Sequence, residues 1–396
     1  MTAKSTLGFI TAEKEVSLFG AGNGTELSLN LIENPDTSSL VRDVYEDTGI
    51  KSNVYDAGGG PSLGLRKGEI SLVADLGGLA TNNGGAVTSD NDLIASAFGT
   101  ATGSTGTTVD DVAATTTVFD VASAAGLAAE KMVLVETTQG NKARMIQAVD
   151  TLELTVTPAL PVAPETASDV IGSVTYTPNE TRESWKVGIH KDSQKIGYYL
   201  QGVTFVPEIS GIGAAEGKAK LTLKGNVGDY SNGASLIDSA TPPDTFTEPA
   251  VSQDGGDFVL TDGVVSITCV ASTFNFTGIL ETVRRASACK QNCQGAAEVV
   301  PSQNRQIEVE LWQDKASDDP IDQLRTWFEA GTMLQCLYQV GKQPTDCLAF
   351  YFPACYIKAD PKEGDKGGLM AIKVALKVSI DGNSAIFSKP FYFARF

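Results

Sequence analysis

The stretch spanning residues 304–331 constrains the fold of this chain more than any other. Its first part alternates strictly between apolar Ile307, Val309 and Leu311 and the residues between them, Glu308, Glu310 and Trp312. A period of two is typical of a strand with one buried and one exposed face, so a half-buried strand is predicted here. A loop and a short helix follow. Asp319 can accept hydrogen bonds from the free N–H groups of a first helical turn, and Pro320 has no N–H to leave unpaired.

The predicted helix has one apolar face and a plausible end. Ile321, Leu324, Trp327 and Phe328 recur at helical spacing, and Gly331 suits the left-handed conformation that often ends a helix. The same order of strand, capped short helix and glycine recurs at residues 69–99, where the helix ends at Gly99. This recurrence predicts a duplicated fold.

Glycine, asparagine and aspartate turns separate many short apolar runs, which predicts a mainly β protein. Residues 101–108 are rich in glycine, serine and threonine, a composition typical of a flexible linker. Four short predicted strands and the prolines 158, 161 and 164 follow, which indicates a small inserted β barrel. The predicted domains are therefore a first domain at 1–100 and 166–235, an insertion at 101–165, a linker at 236–257 and a second domain at 258–396.

Several local predictions complete this outline. The first strand is expected at 15–19, a loop or a short helical turn at 279–293, a charged loop at 360–368 and an aromatic tail at 387–396. The two domains then share one order of elements, namely strand, helix, strand, turn, long strand, loop and long strand.

The charge of the chain bears on its partners. Lysine and arginine number 30 and aspartate and glutamate 48, for a net charge of −18. Proteins that grip nucleic acid need basic side chains on the phosphates, so this balance argues against tight binding. It is compatible with a surface past which DNA slides, because like charges repel. No apolar run reaches the roughly 18–20 residues of a membrane helix, and residues 1–13 lack the order of a signal peptide, so the protein is expected to stay where it is made.

The search for reactive residues yields no catalytic motif, and no cofactor or metal site is predicted. The single histidine, His190, lies in a predicted strand without a neighbouring nucleophile. Glu308 and Glu310 project from one face of one strand about 7 Å apart. They are either a glycosidase-like carboxylate pair or, more simply, part of a charged exposed face.

All six cysteines lie between Cys269 and Cys355. Cys289 and Cys293 have a spacing that allows a disulfide or a metal ligand pair, but no second close pair or histidine follows. Cys336, Cys347 and Cys355 lie among strand residues, where a free thiol acts as a small apolar group. Buried thiols are the simplest interpretation.

The segments at 67–72, 92–99, 185–192, 198–205 and 220–226 resemble the tail tube (major tail) proteins of long-tailed bacteriophages. The resemblance lies in the order of elements and the positions of glycines, and it covers nearly all of the chain outside residues 100–165. It implies two tail-tube folds in one chain, each a β sandwich or partial barrel with a flanking helix. The insertion is expected on the outer surface of the tube, since a folded barrel would block the lumen.

The resemblance also implies an assembly and its partners. Three two-domain chains would form a pseudo-hexameric ring, the rings would stack, and DNA would pass through an acidic lumen without specific binding. Glu308 and Glu310 are the candidate lumen-facing residues. Expected partners are the tape measure, terminator and distal tail proteins, with no membrane and no enzymatic activity. The protein would be assembled in the host cytoplasm and reside in the virion tail.

An alternative is a subunit of a baseplate, fibre or adhesin that binds cell surfaces or carbohydrate. Such a module should concentrate exposed aromatic residues in loops. Trp185, Trp312 and Trp327 instead fall in predicted strands and a helix, which favours packing.

Overall fold

The computed structural model describes most of the chain. The described residues are 8–16, 22–29, 38, 40–45, 62–75, 89–178, 183–191, 196–212, 220–232, 256–268, 271–285, 296–312, 320–366, 369–379 and 386–396. The protein is mainly β, with 58% strand and 7% helix, and its main sheet curls into a half barrel. The prediction of a mainly β protein is therefore confirmed.

The elements fall into three groups along the chain. The first group contains β1 (Gly8–Glu15), β2 (Gly22–Leu29), β3 (Val41–Tyr45), β4 (Ser62–Asp75) and α1 (Ser89–Phe98). The insertion and its flanking strands contain β5 (Thr100–Gly103), β6 (Thr107–Thr108), β7 (Val118–Asp120), β8 (Met132–Val135), β9 (Lys142–Asp150), β10 (Glu153–Thr157), β11 (Asp169–Ile171) and β12 (Val174–Thr177). The first group then resumes with β13 (Trp185–Lys191), β14 (Ile196–Ile212), β15 (Lys220–Val227) and β16 (Asp229–Asn232).

The third group completes the chain. It contains β17 (Asp257–Thr261), β18 (Ser266–Thr268), β19 (Ala271–Arg285), β20 (Ala296–Trp312), α2 (Pro320–Ala330), β21 (Leu334–Val340), β22 (Leu348–Ile357), β23 (Lys362–Lys366), β24 (Leu369–Val378) and β25 (Tyr392–Arg395). We call β1–β4, α1 and β13–β16 the first half, and β17–β25 with α2 the second half.

The two halves make the same strand pairings in the same order. In the first half, β1 pairs with β2 and β13, and the ladder continues through β14, β15, β4 and β3. In the second half, β17 pairs with β18 and β21, and the ladder continues through β22, β24, β20 and β19. An irregularity in register recurs at the same place, between Trp185 and Val187 in one half and between Leu334 and Cys336 in the other. The pairings therefore assign the strands of these two ladders counterparts in the other half, and β16, which pairs with β14, corresponds to β25, which pairs with β22.

Strand β14 joins the two halves into one sheet. Its end pairs with β19, with Glu208 opposite Thr277 and Ile209 opposite Phe276. The sheet thus runs without interruption through β4, β15, β14, β19, β20 and β24. Every strand along this path turns an apolar face to one shared core.

The two helices cover the apolar face of this sheet. Ile321, Leu324 and Trp327 of α2 are buried, as their spacing predicts, and Gly331 ends the helix at a φ of 62°. In α1, Phe98 packs against Phe393 of β25 with ring centroids 4.6 Å apart. The first helix thus packs on a strand of the second half, and the core is continuous across both halves.

The insertion forms a separate small sheet with its own core. Its strands pair in the order β6, β11, β8, β9, β10 and β7. A bridge between Val109 and Val121 links the two ends of that order, so the sheet closes on itself. Phe119, Leu154 and Val170 are among the side chains buried inside it. The pairings of this small sheet extend from residue 107 to residue 171, past the predicted end at 165.

The insertion packs against the second half, although in the sequence it interrupts the first half. Met132 and Met145 on one side meet Leu337, Tyr351 and Tyr392 on the other in a buried apolar cluster. We call this contact the insertion interface. The flanking strands strengthen it, since β12 pairs with both β5 and β25.

A buried ion pair lies at the edge of the insertion interface. Arg144, with 1% of its side chain exposed, donates from Nη1 to Asp257 Oδ2 at 2.8 Å. Its guanidinium also donates to the carbonyl oxygens of Ala143 and Ala159. Burial lowers the pKa of Arg144, and the charge of Asp257 opposes that shift. Gln339 adds a hydrogen bond from the N–H of Ala143 to its side-chain oxygen at 2.6 Å.

Several local predictions differ from what the structure shows. The predicted linker at 101–108 contains β5 and β6, because threonine-rich segments add readily to an existing sheet edge. The predicted loop at 360–368 contains β23, and the predicted loop or turn at 279–293 begins as a continuation of β19 to Arg285. A strand lies at Gly8–Glu15, before the strand predicted at 15–19, of which residues 17–19 are outside the described part. The aromatic tail contains the buried strand β25.

Three cysteines are described, and all are free and buried. They are Cys336, Cys347 and Cys355, which agrees with their interpretation as small apolar residues. Burial raises the pKa of each thiol. Cys269, Cys289 and Cys293 lie outside the described residues, as does most of the predicted linker at 236–257.

Candidate functional site on the polar face of the sheet

The face of the long sheet that points away from its core carries the predicted site residues. On β20, Ile307, Val309 and Leu311 enter the core, while Glu308 is exposed and Glu310 is half-buried on the opposite side. The same alternation holds along β4, β15, β14, β19 and β24. We call the side of these six strands opposite the core the polar face.

Glu308 and Glu310 are held by different neighbours on the polar face. Glu308 Oε2 lies 3.7 Å from Lys373 Nζ of β24, with roughly half of each side chain exposed. Glu310 Oε2 accepts a hydrogen bond from Thr273 Oγ1 of β19 at 3.2 Å. The structure therefore brings each carboxylate to a cross-strand partner, in an arrangement that fits a charged exposed face.

Lysines that were not singled out from the sequence also lie on the polar face. The described side chains of its six strands include four carboxylates and four lysines: Glu69, Glu208, Glu308, Glu310, Lys220, Lys224, Lys373 and Lys377. Lys224 forms an ion pair with Glu208 across β15 and β14. Alternation with buried Ile372, Val374 and Leu376 could have placed Lys373 and Lys377 on this face.

The described part of the polar face is thus of mixed charge, and the excess of acid lies elsewhere. Residues 101–172, which include the insertion, contain nine acidic and three basic residues, a net charge of −6. A third of the net charge of −18 therefore resides in this segment.

Nothing in the described geometry points to a catalytic centre or a cation site. No group of three or more histidine, cysteine or acidic residues within the described ranges could hold a metal ion. The backbone of His190 pairs with Phe9 and Gly197, while its side chain is outside the described part. Among the same residues, neither helix is long and apolar enough to cross a membrane.

Comparison with known proteins adds no family to this picture. No protein-family model and no curated protein sequence matches the chain.

Proposed function

We propose that this protein is a structural virion protein that assembles into the tail tube of a long-tailed bacteriophage. The observation that carries the proposal is the in-chain pairing of β14 with β19, which joins two halves of equal strand order into one sheet. A unit that continues its sheet into the next unit through a strand edge can form a closed ring of such units. Closure pairs every edge, which removes the aggregation hazard of open strands.

The counterparts of β14 and β19 support one assignment of the joint between chains. Strands β15 and β24 are counterparts in the two halves. Glu208 of β14 lies opposite Thr222 of β15, and Lys362 of β23 lies opposite Lys373 at the corresponding position of β24. Strand β23 of the second half thus takes the place of the end of β14. Strand β3 takes the place of β19, since each pairs with the strand that precedes a helix. We assign the chain-to-chain joint to β23 of one copy and β3 of the next.

Three chains with two units each then complete a ring of six units, and the rings stack into a tube. The polar face, with Glu308 and Glu310, would line the lumen through which DNA passes. Carboxylates balanced by lysines make a hydrated surface with little net attraction for phosphates, which suits passage without specific binding. The insertion, which packs on the second half at the insertion interface, would lie outside. Tape measure, terminator and distal tail proteins would be the partners in the virion.

Negative-stain electron microscopy of the purified protein tests the proposal. We expect hollow rings or tubes with a pore of DNA width, and three outer projections per ring, one for each insertion. Six projections would mean one tube unit per chain and would refute the duplicated version. Dispersed monomers at high concentration would refute the tube and favour a binding module.

A further inference from the structure

Two hairpins, one in each half, carry an exposed valine at counterpart positions just beyond their first strand. Ala12 of β1 lies opposite Val187, and its counterpart Leu260 of β17 lies opposite Cys336. The fourth residue after each is a valine: Val16 is 74% exposed and Val264 is 91% exposed. Single exposed apolar residues are common on proteins, but one that recurs at counterpart positions of a repeated fold is less easily explained by chance.

The turn that carries Val264 is held firmly. Asp262 accepts hydrogen bonds from the N–H groups of Val264 and Val265 at 2.8 and 2.7 Å. Trp327 of α2 donates from Nε1 to the other oxygen of Asp262 at 3.0 Å. Gly263 completes the turn at a φ of 91°. The valine is therefore displayed on a turn that is tied to the body of the second half.

Val16 follows a similarly anchored carboxylate. Glu15 is almost fully buried and accepts from Ser184 Oγ at 2.6 Å and from the N–H of Gly202 at 3.0 Å. Its own N–H donates to the carbonyl oxygen of Ser184 at 2.9 Å. In each half a carboxylate one or two residues before the valine is thus held by hydrogen bonds, although the two carboxylates are not at counterpart positions.

We propose that these two valines form a contact surface for another copy of this chain, at the junction between stacked rings. The inference rests on the proposed function and adds to it which residues make the stacking contact. A partner that binds once per chain needs one apolar contact. Two contacts at counterpart positions match a partner with the same two-unit repeat, and the partner with that repeat is this chain.

The test compares a double variant, Val16→Asp with Val264→Asp, with a matched control, Val112→Asp. Val112 is 96% exposed on the insertion and has no counterpart in the repeat. We expect the double variant to form rings of normal diameter that fail to stack, so that mean particle length in electron micrographs falls to one ring. The control should form tubes as long as those of the unaltered protein.

The outcomes separate this inference from the function on which it rests. Tubes of normal length from the double variant would overturn the stacking contact and leave the tube intact. Loss of the rings themselves, with unchanged circular dichroism, would place the valines within the ring and also overturn it. An unaltered protein that sediments only as a monomer would overturn both proposals. A Val16→Thr and Val264→Thr variant keeps the side-chain shape, and we expect it to shorten tubes less.

Discussion

The positions that contact the insertion in the second half differ in residue type from their counterparts in the first half. The surface of the second half at the insertion interface carries Val259, Leu337, Ala349, Tyr351 and Tyr392. The residues at counterpart positions in the first half are Thr11, Gly188, Gly197, Tyr199 and Ser231. One backbone arrangement therefore carries large apolar residues where the insertion packs and, apart from Tyr199, smaller or more polar residue types at the counterpart positions. The insertion therefore packs as part of the second half, although its position in the sequence is within the first half.

The strongest test of this comparison removes the insertion. Replacing residues 104–173 by an Asn-Gly turn joins Gly103 of β5 to its partner Val174 of β12 and exposes at least Leu337, Tyr351 and Tyr392 to water. At about 1.5–3 kcal/mol for each large apolar side chain, we expect the free energy of unfolding to fall by about 5 kcal/mol or more, with loss of soluble protein. All three tryptophans lie outside the insertion, so tryptophan fluorescence during urea unfolding reports on the main body alone.

A matched control gives the second half the residues of the first. Leu337→Gly and Tyr392→Ser in the shortened chain should recover soluble protein, because the uncovered surface becomes less apolar. An unchanged urea midpoint in the shortened chain would show that the insertion interface contributes nothing to the main body.

The next largest effect is expected at the buried ion pair. Arg144→Ala leaves the carboxylate of Asp257 without its main partner, and breaking such a pair costs about 3–5 kcal/mol. We expect a smaller loss when Asp257→Ala is added, because the unpaired charge is then removed. Equal and additive losses in a double-mutant cycle would show that the two groups are not coupled.

The contacts of Glu130 predict that part of the stability of the insertion interface depends on pH. Burial opposes its charge, but hydrogen bonds from the N–H of Ser388 and the hydroxyl of Tyr392 outweigh burial and lower the pKa of Glu130 below its ordinary 4.5. A carboxyl with a lowered pKa stabilises the fold above the unfolded-state pKa and loses that contribution as pH falls through the folded-state pKa. Glu130→Gln should therefore cost about 1 kcal/mol at pH 7 and progressively less below pH 4.5.

Urea unfolding of both proteins from pH 7 to pH 3 measures this difference. Glu165→Gln, on the exposed surface of the insertion, controls for the loss of one negative charge. A constant difference between the Glu130 variant and the unaltered protein across this range would rule out a role for the ionised carboxylate.

The smallest effect is expected on the polar face. The counterpart of Glu308 in the first half is Ser71, and Glu308→Ser removes only a half-exposed ion pair with Lys373. We expect a change within about 0.5 kcal/mol, since exposed ion pairs contribute little. The neighbouring Leu311→Ala, in the core, should cost about 2–5 kcal/mol in the same assay. A large loss from Glu308→Ser would mean that the two faces of β20 are less different than their burial indicates.

Periodicity predicted the elements that have one buried and one exposed face. The alternation in β20 and the apolar face of α2 could be predicted because burial on one face imposes a period on the sequence. Strand β23 was missed because Lys-Glu-Gly-Asp-Lys contains no apolar residue to indicate a face. The lysine beside Glu308 is 65 residues away in sequence on another strand, and the insertion interface joins distant segments. Such contacts depend on tertiary pairing, which a local pattern does not encode.

The pairing of β14 with β19 has a consequence for the strength of larger assemblies. Because both strands belong to one chain, this joint forms at an effective concentration set by the connecting segment, independent of the amount of protein in solution. A joint between two chains weakens on dilution, whereas this one does not. In an assembly of such chains, every second joint would therefore keep its strength on dilution. The assembly would lose whole chains, that is, two units at a time.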